Sequence, residues 1–236
     1  MSATVTFYIA RHGKTLMNTL VKVQGWCDSP LTPEGIAVAG CLGAGLRDVR
    51  FDAVYTSDLR RSGQTARILL AEQGQSDLPV EEKAGFREAC FGSFEAGSDT
   101  QMWEDAAKQL NYAGVDAMKA DLSLQKISNE DIMRAIVELD TLGMAESFEQ
   151  VELRTQETLR EIAERESVCG RNKNILIVAH GLCIVVMLYN LGGKNMPSLF
   201  IDNATVCKVT YCNGIFRVES IGDDSYLKRG RKLLEK

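Results

Sequence analysis

The apolar residues of this chain fall into short unbroken runs, separated by longer stretches where they recur every three or four positions. Residues 4–10 (TVTFYIA) are rich in β-branched and aromatic side chains and are bounded by Gly13, which predicts a buried strand. Residues 53–56 (AVYT) read as a second strand and a third is expected near Val80. Residues 175–179 (ILIVA) have the unbroken character of a parallel strand covered on both faces. Between these runs the pattern is helical. Thr32 and Pro33 mark a helix start, and the helix is expected to reach about Arg47 despite Gly40, Gly43 and Gly45. Ser57 is placed to cap a helix that runs through Ala71 and is closed by Gly74. Ser147 and Gln150 have capping-box spacing and open a long helix to about Glu166. Residues 182–191 form an apolar helix stopped by Gly192 and Gly193. Residues 204–211 and 215–221 flank Asn213-Gly214, a pair that predicts a hairpin. Strands alternating with helices define an α/β chain with three layers, a mostly parallel central sheet flanked by helices. Residues 93–145 are less regular, with helical candidates at 103–110 and 129–142. They are expected to form a helical insert or lid on a single domain spanning 1–236.

Composition removes whole classes of protein. At 236 residues the chain can bury roughly 70% of its unfolded surface without disulfide or metal staples. Its 45% hydrophobic and 25% charged residues exclude disordered, collagenous and coiled-coil chains. The longest apolar run, 182–189, has eight residues where a membrane span needs about 18. A strand-like segment begins almost at Met1, which leaves no room for a signal peptide. Seven cysteines in irregular spacing fit free thiols in a reducing compartment, so a cytoplasmic location is expected, with no membrane partner.

Charge is placed unevenly. Residues 80–150 carry 15 acids and 6 bases, so the flanks hold a positive excess inside a formal net charge of −5. The flanks are therefore the better place for an anionic ligand, although a solvated acidic helical surface accounts for the bias equally well.

Several signals fail on inspection. Gly13-Lys14-Thr15 resembles the end of a nucleotide-phosphate loop, but Tyr8 stands where that loop needs its first glycine. The cysteines have no paired metal-ligand spacing, so no metal site is expected. The basic tail (Lys228, Arg229, Arg231, Lys232, Lys236) lacks a wider basic face, and a solvated terminus explains it better than nucleic acid does.

The chain has only two histidines, and both follow a predicted strand: Arg11-His12-Gly13 after the first, Ala179-His180-Gly181 after the 175–179 strand. Ligands of open parallel sheets bind beyond the carboxyl ends of the strands, so neighbouring strands would bring both imidazoles to one crevice. A glycine after each lets the backbone approach a ligand. One such histidine is more often structural, but two with none elsewhere shift that balance. Arg11 adjoins His12, and Arg60 falls in the first turn after the 53–56 strand. Guanidinium groups grip phosphate oxygens in pairs. Arg61 and Arg67 read as ordinary helix-surface residues. Two arginines and two histidines at converging strand ends describe a site for a phosphoryl dianion, with a sulfate or polycarboxylate fitting on the same grounds.

Four blocks in fixed order then carry a resemblance: Arg11-His12-Gly13-Lys14-Thr15 with Asn18, Ser57-Asp58-Leu59-Arg60-Arg61 continuing to Ala66, Phe86-Arg87-Glu88, and Ala179-His180-Gly181. Together they resemble the histidine phosphatase superfamily, the phosphoglycerate mutase-like group. Asn203-Ala204-Thr205 and residues 222–227 also resemble family positions. The resemblance implies that His12 is the nucleophile, neutral at the attacking nitrogen, and accepts the phosphoryl group as phosphohistidine. It implies that Arg11, Arg60 and His180 surround the equatorial oxygens without a metal or other cofactor, with Asn18 and Gly181 also at the phosphate. Glu88 would protonate the leaving oxygen and then activate water.

Residues 24–31 are similar in mutases and phosphatases of the group and do not separate them. The segment after Glu88 does more. Glycolytic mutases carry an arginine directly after this glutamate and an arginine pair further on, whereas here Ala89 follows and residues 93–145 hold one arginine, Arg134. Phe91-Gly92 followed by Glu95 resembles the phosphatase branch. Lys14 departs from the Glu or Gln usual at its position. The expected activity is metal-independent hydrolysis of a small phosphomonoester. The alternatives are a bisphosphoglycerate-dependent phosphoglycerate mutase and a non-catalytic phospholigand-binding module. Phe91, Phe94, Trp103 and Tyr112 either shape an apolar leaving-group pocket or belong to the core.

Overall fold

The computed structural model describes residues 3–191 and 201–235. A six-stranded sheet runs through it in the order β3-β2-β4-β1-β5-β6: β1 is Val5–Arg11, β2 Ala53–Thr56, β3 Val80–Glu82, β4 Lys173–Ala179, β5 Val206–Cys212 and β6 Ile215–Asp223. The first four strands are parallel, and the β5–β6 hairpin adds two antiparallel strands beside β1. Asn213 and Gly214 both take positive φ at the hairpin turn, as the Asn-Gly pair predicts. The α/β class and the mostly parallel sheet expected from the alternating pattern are what the chain forms.

Strand alternation makes the layers. On one face Phe7 and Ile9 of β1 and Ile175 and Ile177 of β4 pack against α7 (Phe148–Ser167) and α8 (Gly181–Leu188). On the other, Tyr8, Ala10, Leu176 and Val178 pack against α2 (Pro33–Gly45) and α3 (Arg60–Gln73). α9 (Ser225–Leu234) closes over α2. The glycines of α2 sit in that packing: a Cβ on Gly43 would lie 2.3 Å from the Leu69 carbonyl oxygen, and one on Gly45 1.9 Å from that of Tyr226. Close helix approach therefore offsets the helix-weakening tendency of glycine.

The acidic middle segment is helical, as expected. α4 (Asp99–Gln109), α5 (Val115–Ser123) and α6 (Asn129–Leu139) surround their own apolar cluster, in which Trp103, Met118 and Ile136 meet Val23, Phe91, Phe148 and Leu182. The sequence pattern showed no separate sign of α5, which buries only Met118 and Leu122. α7 opens with the Ser147–Gln150 capping box. α3 departs from expectation. Its N-cap is Leu59 rather than Ser57, whose hydroxyl accepts from the Leu59 N–H (3.2 Å). Gly74 closes it in the left-handed conformation. The stop expected at Gly192 and Gly193 lies outside the described residues. No helix among the described residues is long and apolar enough to cross a membrane.

Candidate active site

β1 and β4 are adjacent and in register, Arg11 opposite Ala179, so His12 and His180 leave the sheet at the same level. His12 N–H donates to the Ala179 carbonyl (3.0 Å), and the two imidazoles meet edge to face with centroids 5.2 Å apart. Strand neighbours far apart in sequence thus bring both histidines of the chain to one point.

The His12 tautomer follows from its partners. Nδ1 lies 2.8 Å from the Gly13 carbonyl oxygen, which only accepts, so Nδ1 carries the hydrogen. Burial, and then the charges of Arg61 and Arg11, hold the His12 pKa well below its ordinary value, so the ring is neutral at pH 7. Nε2 is left with a free lone pair. Asn203 Nδ2 donates to the His12 carbonyl (2.7 Å) and fixes the loop from the far side.

Arg11 is positioned to hold an anion. Its Nη1 donates to the Ile201 carbonyl (2.6 Å), while its Nε is buried with no hydrogen-bond partner among the described residues. A buried guanidinium N–H without a partner is a donor in need of an acceptor. Gly181 makes room for it, since a Cβ there would sit 3.3 Å from the guanidinium. Asn18 lines the same cavity, although its Oδ1 also accepts from Thr15 N–H (3.1 Å) in the cap of the short helix α1 (Leu16–Thr19).

The other expected arginine is not where the sequence reading put it. Arg60 is the first residue of α3 and is exposed, outside the cavity lining. Arg61, read as a surface residue, is fully buried. The reason is helical phase. The buried residues of α3 are 61, 62, 63, 65, 66, 69, 70 and 73, a face that carries Arg61 and leaves Arg60 exposed. Counting back from Leu69 in steps of four reaches Arg61, so the apolar stripe held the signal.

Arg61 spends its guanidinium on the protein. Nε donates to His180 Nδ1 (3.1 Å), Nη1 to the Cys27 carbonyl (2.8 Å) and Asp28 (3.0 Å), and Nη2 to the carbonyls of Gly25 (2.7 Å) and Gln24 (3.4 Å). His180 Nδ1 is therefore an acceptor. Its Nε2 carries the hydrogen and donates to Ser57 Oγ (2.6 Å), with Ser62 Oγ at 3.2 Å. Burial first, and then Arg61 and its other charged neighbours, keep the His180 pKa well below ordinary. With both nitrogens engaged, His180 buttresses His12 here rather than offering a free donor to phosphate. Ser57, Ser62 and Arg61 were missed by sequence reasoning, which carries no signal that two serine hydroxyls meet a histidine 118 or more positions away.

Glu88 is buried in the same cavity. Its carboxylate accepts from the backbone N–H groups of Ala89 (3.0 Å), Cys183 (2.7 Å) and Leu182 (3.1 Å), the last two at the start of α8. The first N–H groups of a helix have no partner within it, and Glu88 supplies one. Arg154 of α7 fixes the segment before it, donating to the carbonyls of Gly85, Arg87 and Glu88 while paired with Glu146.

Arg11, His12, Asn18, Glu88 and Gly181 line a cavity of about 100 Å³, joined by Lys22, Gln24, Phe91, Asp99, Met102, Trp103 and Leu182. Phe94 and Tyr112 instead pack against the apolar cluster of α4, α5 and α6. Lys14 lies outside, paired with exposed Glu34 (2.7 Å), and Arg134 is paired with Asp131 on its own helix. The arrangement unites a lone-pair nitrogen, an unsatisfied cationic donor and a carboxylate, which suits transfer of a phosphoryl group to His12.

Known proteins are similar to this chain in sequence and fold. A 2,3-bisphosphoglycerate-dependent phosphoglycerate mutase of Bifidobacterium longum (strain DJO10A) is 30% identical over 212 residues, 85% of this chain and 84% of that protein. A crystal structure of phosphoglycerate mutase from Bacillus anthracis str. Sterne is 36% identical, superimposes with a TM-score of 0.88, and covers 98% of each chain. At the level of fold alone, a phosphoserine phosphatase from Entamoeba histolytica matches with a TM-score of 0.67 at 22% identity, over 94% of this chain and 99% of its own. The profile of the histidine phosphatase superfamily (branch 1) matches residues 7–224, and the chain belongs to that family.

Proposed function

We propose that this chain is a metal-independent phosphomonoester hydrolase acting through phosphohistidine on His12. The observation that carries the reading is the His12 imidazole, neutral, with Nδ1–H held by Gly13 and Nε2 free beside the unsatisfied Arg11 Nε. Nε2 attacks phosphorus in line with the ester oxygen, and Arg11 takes up charge on the equatorial oxygens. Asn18 adds a contact at the cavity wall. Arg61 and His180 support His12 from behind and add positive potential. Glu88 gives a proton to the departing alcohol, then removes one from the water that cleaves the P–N bond. Atoms balance as ester plus water giving alcohol plus phosphate.

A second reading, a bisphosphoglycerate-dependent phosphoglycerate mutase, is supported by the names of the relatives at 30% and 36% identity. Against it, the insert supplies no arginine to the cavity among the described residues and contributes the Asp99 carboxylate to its lining. A binding module without turnover has no use for a positioned Glu88.

The test measures phosphate release from p-nitrophenyl phosphate in EDTA, for wild type and His12→Ala. Release by wild type alone supports the mechanism, and release by His12→Ala would end it. Isomerisation of 3-phosphoglycerate on adding 2,3-bisphosphoglycerate, without hydrolysis, would establish the mutase. Phosphate binding with neither activity would leave the module.

A further inference from the structure

The cavity around His12 is too small for more than a phosphoryl group and a few further atoms, but it is not closed. Asp99 and Trp103 line both it and an adjoining cleft of about 590 Å³ between α4 and α5. Asp99 is the charged residue that joins the two spaces. Trp103 Nε1, one turn along α4, donates to its Oδ1 (3.1 Å) and fixes the carboxylate. An acid at the start of a helix is ordinary dipole compensation, but a fully exposed one would serve that purpose. Asp99 is instead partly buried, and burial raises its pKa above the usual value, with Trp103, Lys119 and Arg11 acting against that shift.

Charge balance gives the carboxylate a function. The described lining of the inner cavity holds two cations, Arg11 and Lys22, against two carboxylates, Glu88 and Asp99, with Arg61 behind. With Glu88 protonated as the acid of the reaction, a phosphoryl dianion offsets most of this positive charge and leaves Asp99 as the carboxylate facing the leaving group. A further anion on the leaving group is then opposed and a cation favoured. Resting on the hydrolase reading above, we propose that the substrates are phosphomonoesters with an extended leaving group bearing a cationic nitrogen, and that Asp99 is the specificity-determining residue receiving it. The phosphoryl group sits at His12 and Arg11, the ester oxygen faces Glu88, and the chain passes Phe91 and Met102 toward Trp103. The ammonium then meets Asp99, with the Trp103 ring beside it as a second favourable surface.

The experiment compares 6-aminohexyl phosphate with hexyl phosphate, two esters of equal length that differ in one cationic group, using the wild-type protein and Asp99→Asn at low salt. We expect a kcat/KM for the amino ester higher by roughly tenfold in wild type, and a ratio near one in Asp99→Asn. Equal kcat/KM for the two esters in wild type overturns the inference while leaving the hydrolase reading intact, and this outcome needs no variant. A preference that persists in Asp99→Asn assigns the cation to another group and overturns the role of Asp99. Failure of wild type to hydrolyse either ester or p-nitrophenyl phosphate removes the hydrolase reading, and the inference falls with it.

Discussion

Arg61 Nε donates to His180 Nδ1 at 3.1 Å, and that one bond sets the protonation of the second histidine in the site. It makes Nδ1 the acceptor and leaves Nε2–H for Ser57, so the imidazole is neutral and its plane is fixed. The other guanidinium hydrogens reach the carbonyls of residues 24, 25 and 27 and the Asp28 carboxylate, which ties the loop to the same ring.

Replacing the two neighbouring arginines should therefore have very unequal results. Arg61→Ala leaves His180 Nδ1 and several buried carbonyls without donors, and Arg61→Lys cannot restore five hydrogens in a planar fork. For both we expect kcat/KM on p-nitrophenyl phosphate to fall by about 10²-fold or more per folded molecule. Arg60→Ala, changing an exposed side chain, should stay within about twofold of wild type. Steady-state kinetics corrected for folded fraction decide it, and a large loss in Arg60→Ala would return the site to the arginine suggested by sequence position.

That pair also shows what the sequence could and could not reveal. Histidines after two strands, with glycines behind them, were enough to predict a shared crevice, because parallel neighbours in register deliver their ends to one level. Glu88 was visible only through its motif, since nothing local distinguishes it from the other acids around it. Asp99 has no motif, and its position depends on how α4 packs with Val23, Phe91 and Leu182. The choice between Arg60 and Arg61 is decidable in principle from the phase of Leu69 and Leu70, whereas distance from the strand end favours Arg60.

Both histidines should be neutral well below pH 6.5. Burial is the first cause for each, and neighbouring arginine charge adds to it. Between the folded pKa values and 6.5 the unfolded chain binds more protons than the folded one, so stability rises with pH across that window. Stability should therefore decline as pH falls from about 6.5, with the loss complete once pH is below the folded values. Urea midpoints between pH 7.5 and 5.0 measure the decline. Because the chain has two histidines, ¹⁵N shifts of their imidazoles report each directly. A ring half-protonated near pH 6.5 would contradict the buried neutral pair.

The glycines of α2 should respond to alanine in opposite directions. At Gly40 a Cβ would meet only Glu72 Cγ at 3.5 Å, an ordinary contact, so Gly40→Ala should stabilise by about 0.5–1 kcal/mol. At Gly45 the same Cβ would lie 1.9 Å from the Tyr226 carbonyl oxygen, so α9 must move away and the cost should be about 1–3 kcal/mol. Denaturant titrations of the two variants are the check. Equal effects would mean that α9 does not pack where it is described.

Glu95 should control the site without touching it. Its carboxylate accepts from the backbone N–H groups of Gly25, Trp26, Cys27 and Phe91, which joins the 25–27 loop to the segment after Glu88. The same loop turns its carbonyls toward Arg61, so Glu95 is coupled to His180 through two layers of hydrogen bonds. Glu95→Gln removes the charge from these bonds and replaces one acceptor by a donor facing N–H groups. We expect a loss of about 2–3 kcal/mol in stability, with a drop in kcat larger than any change in KM because the loop positions Arg61 rather than substrate. The discriminating measurement is a double-mutant cycle with Arg61→Lys. Residues acting through one loop should give effects on kcat well short of additive, and strict additivity would show that Glu95 stabilises the fold without reaching the histidine pair.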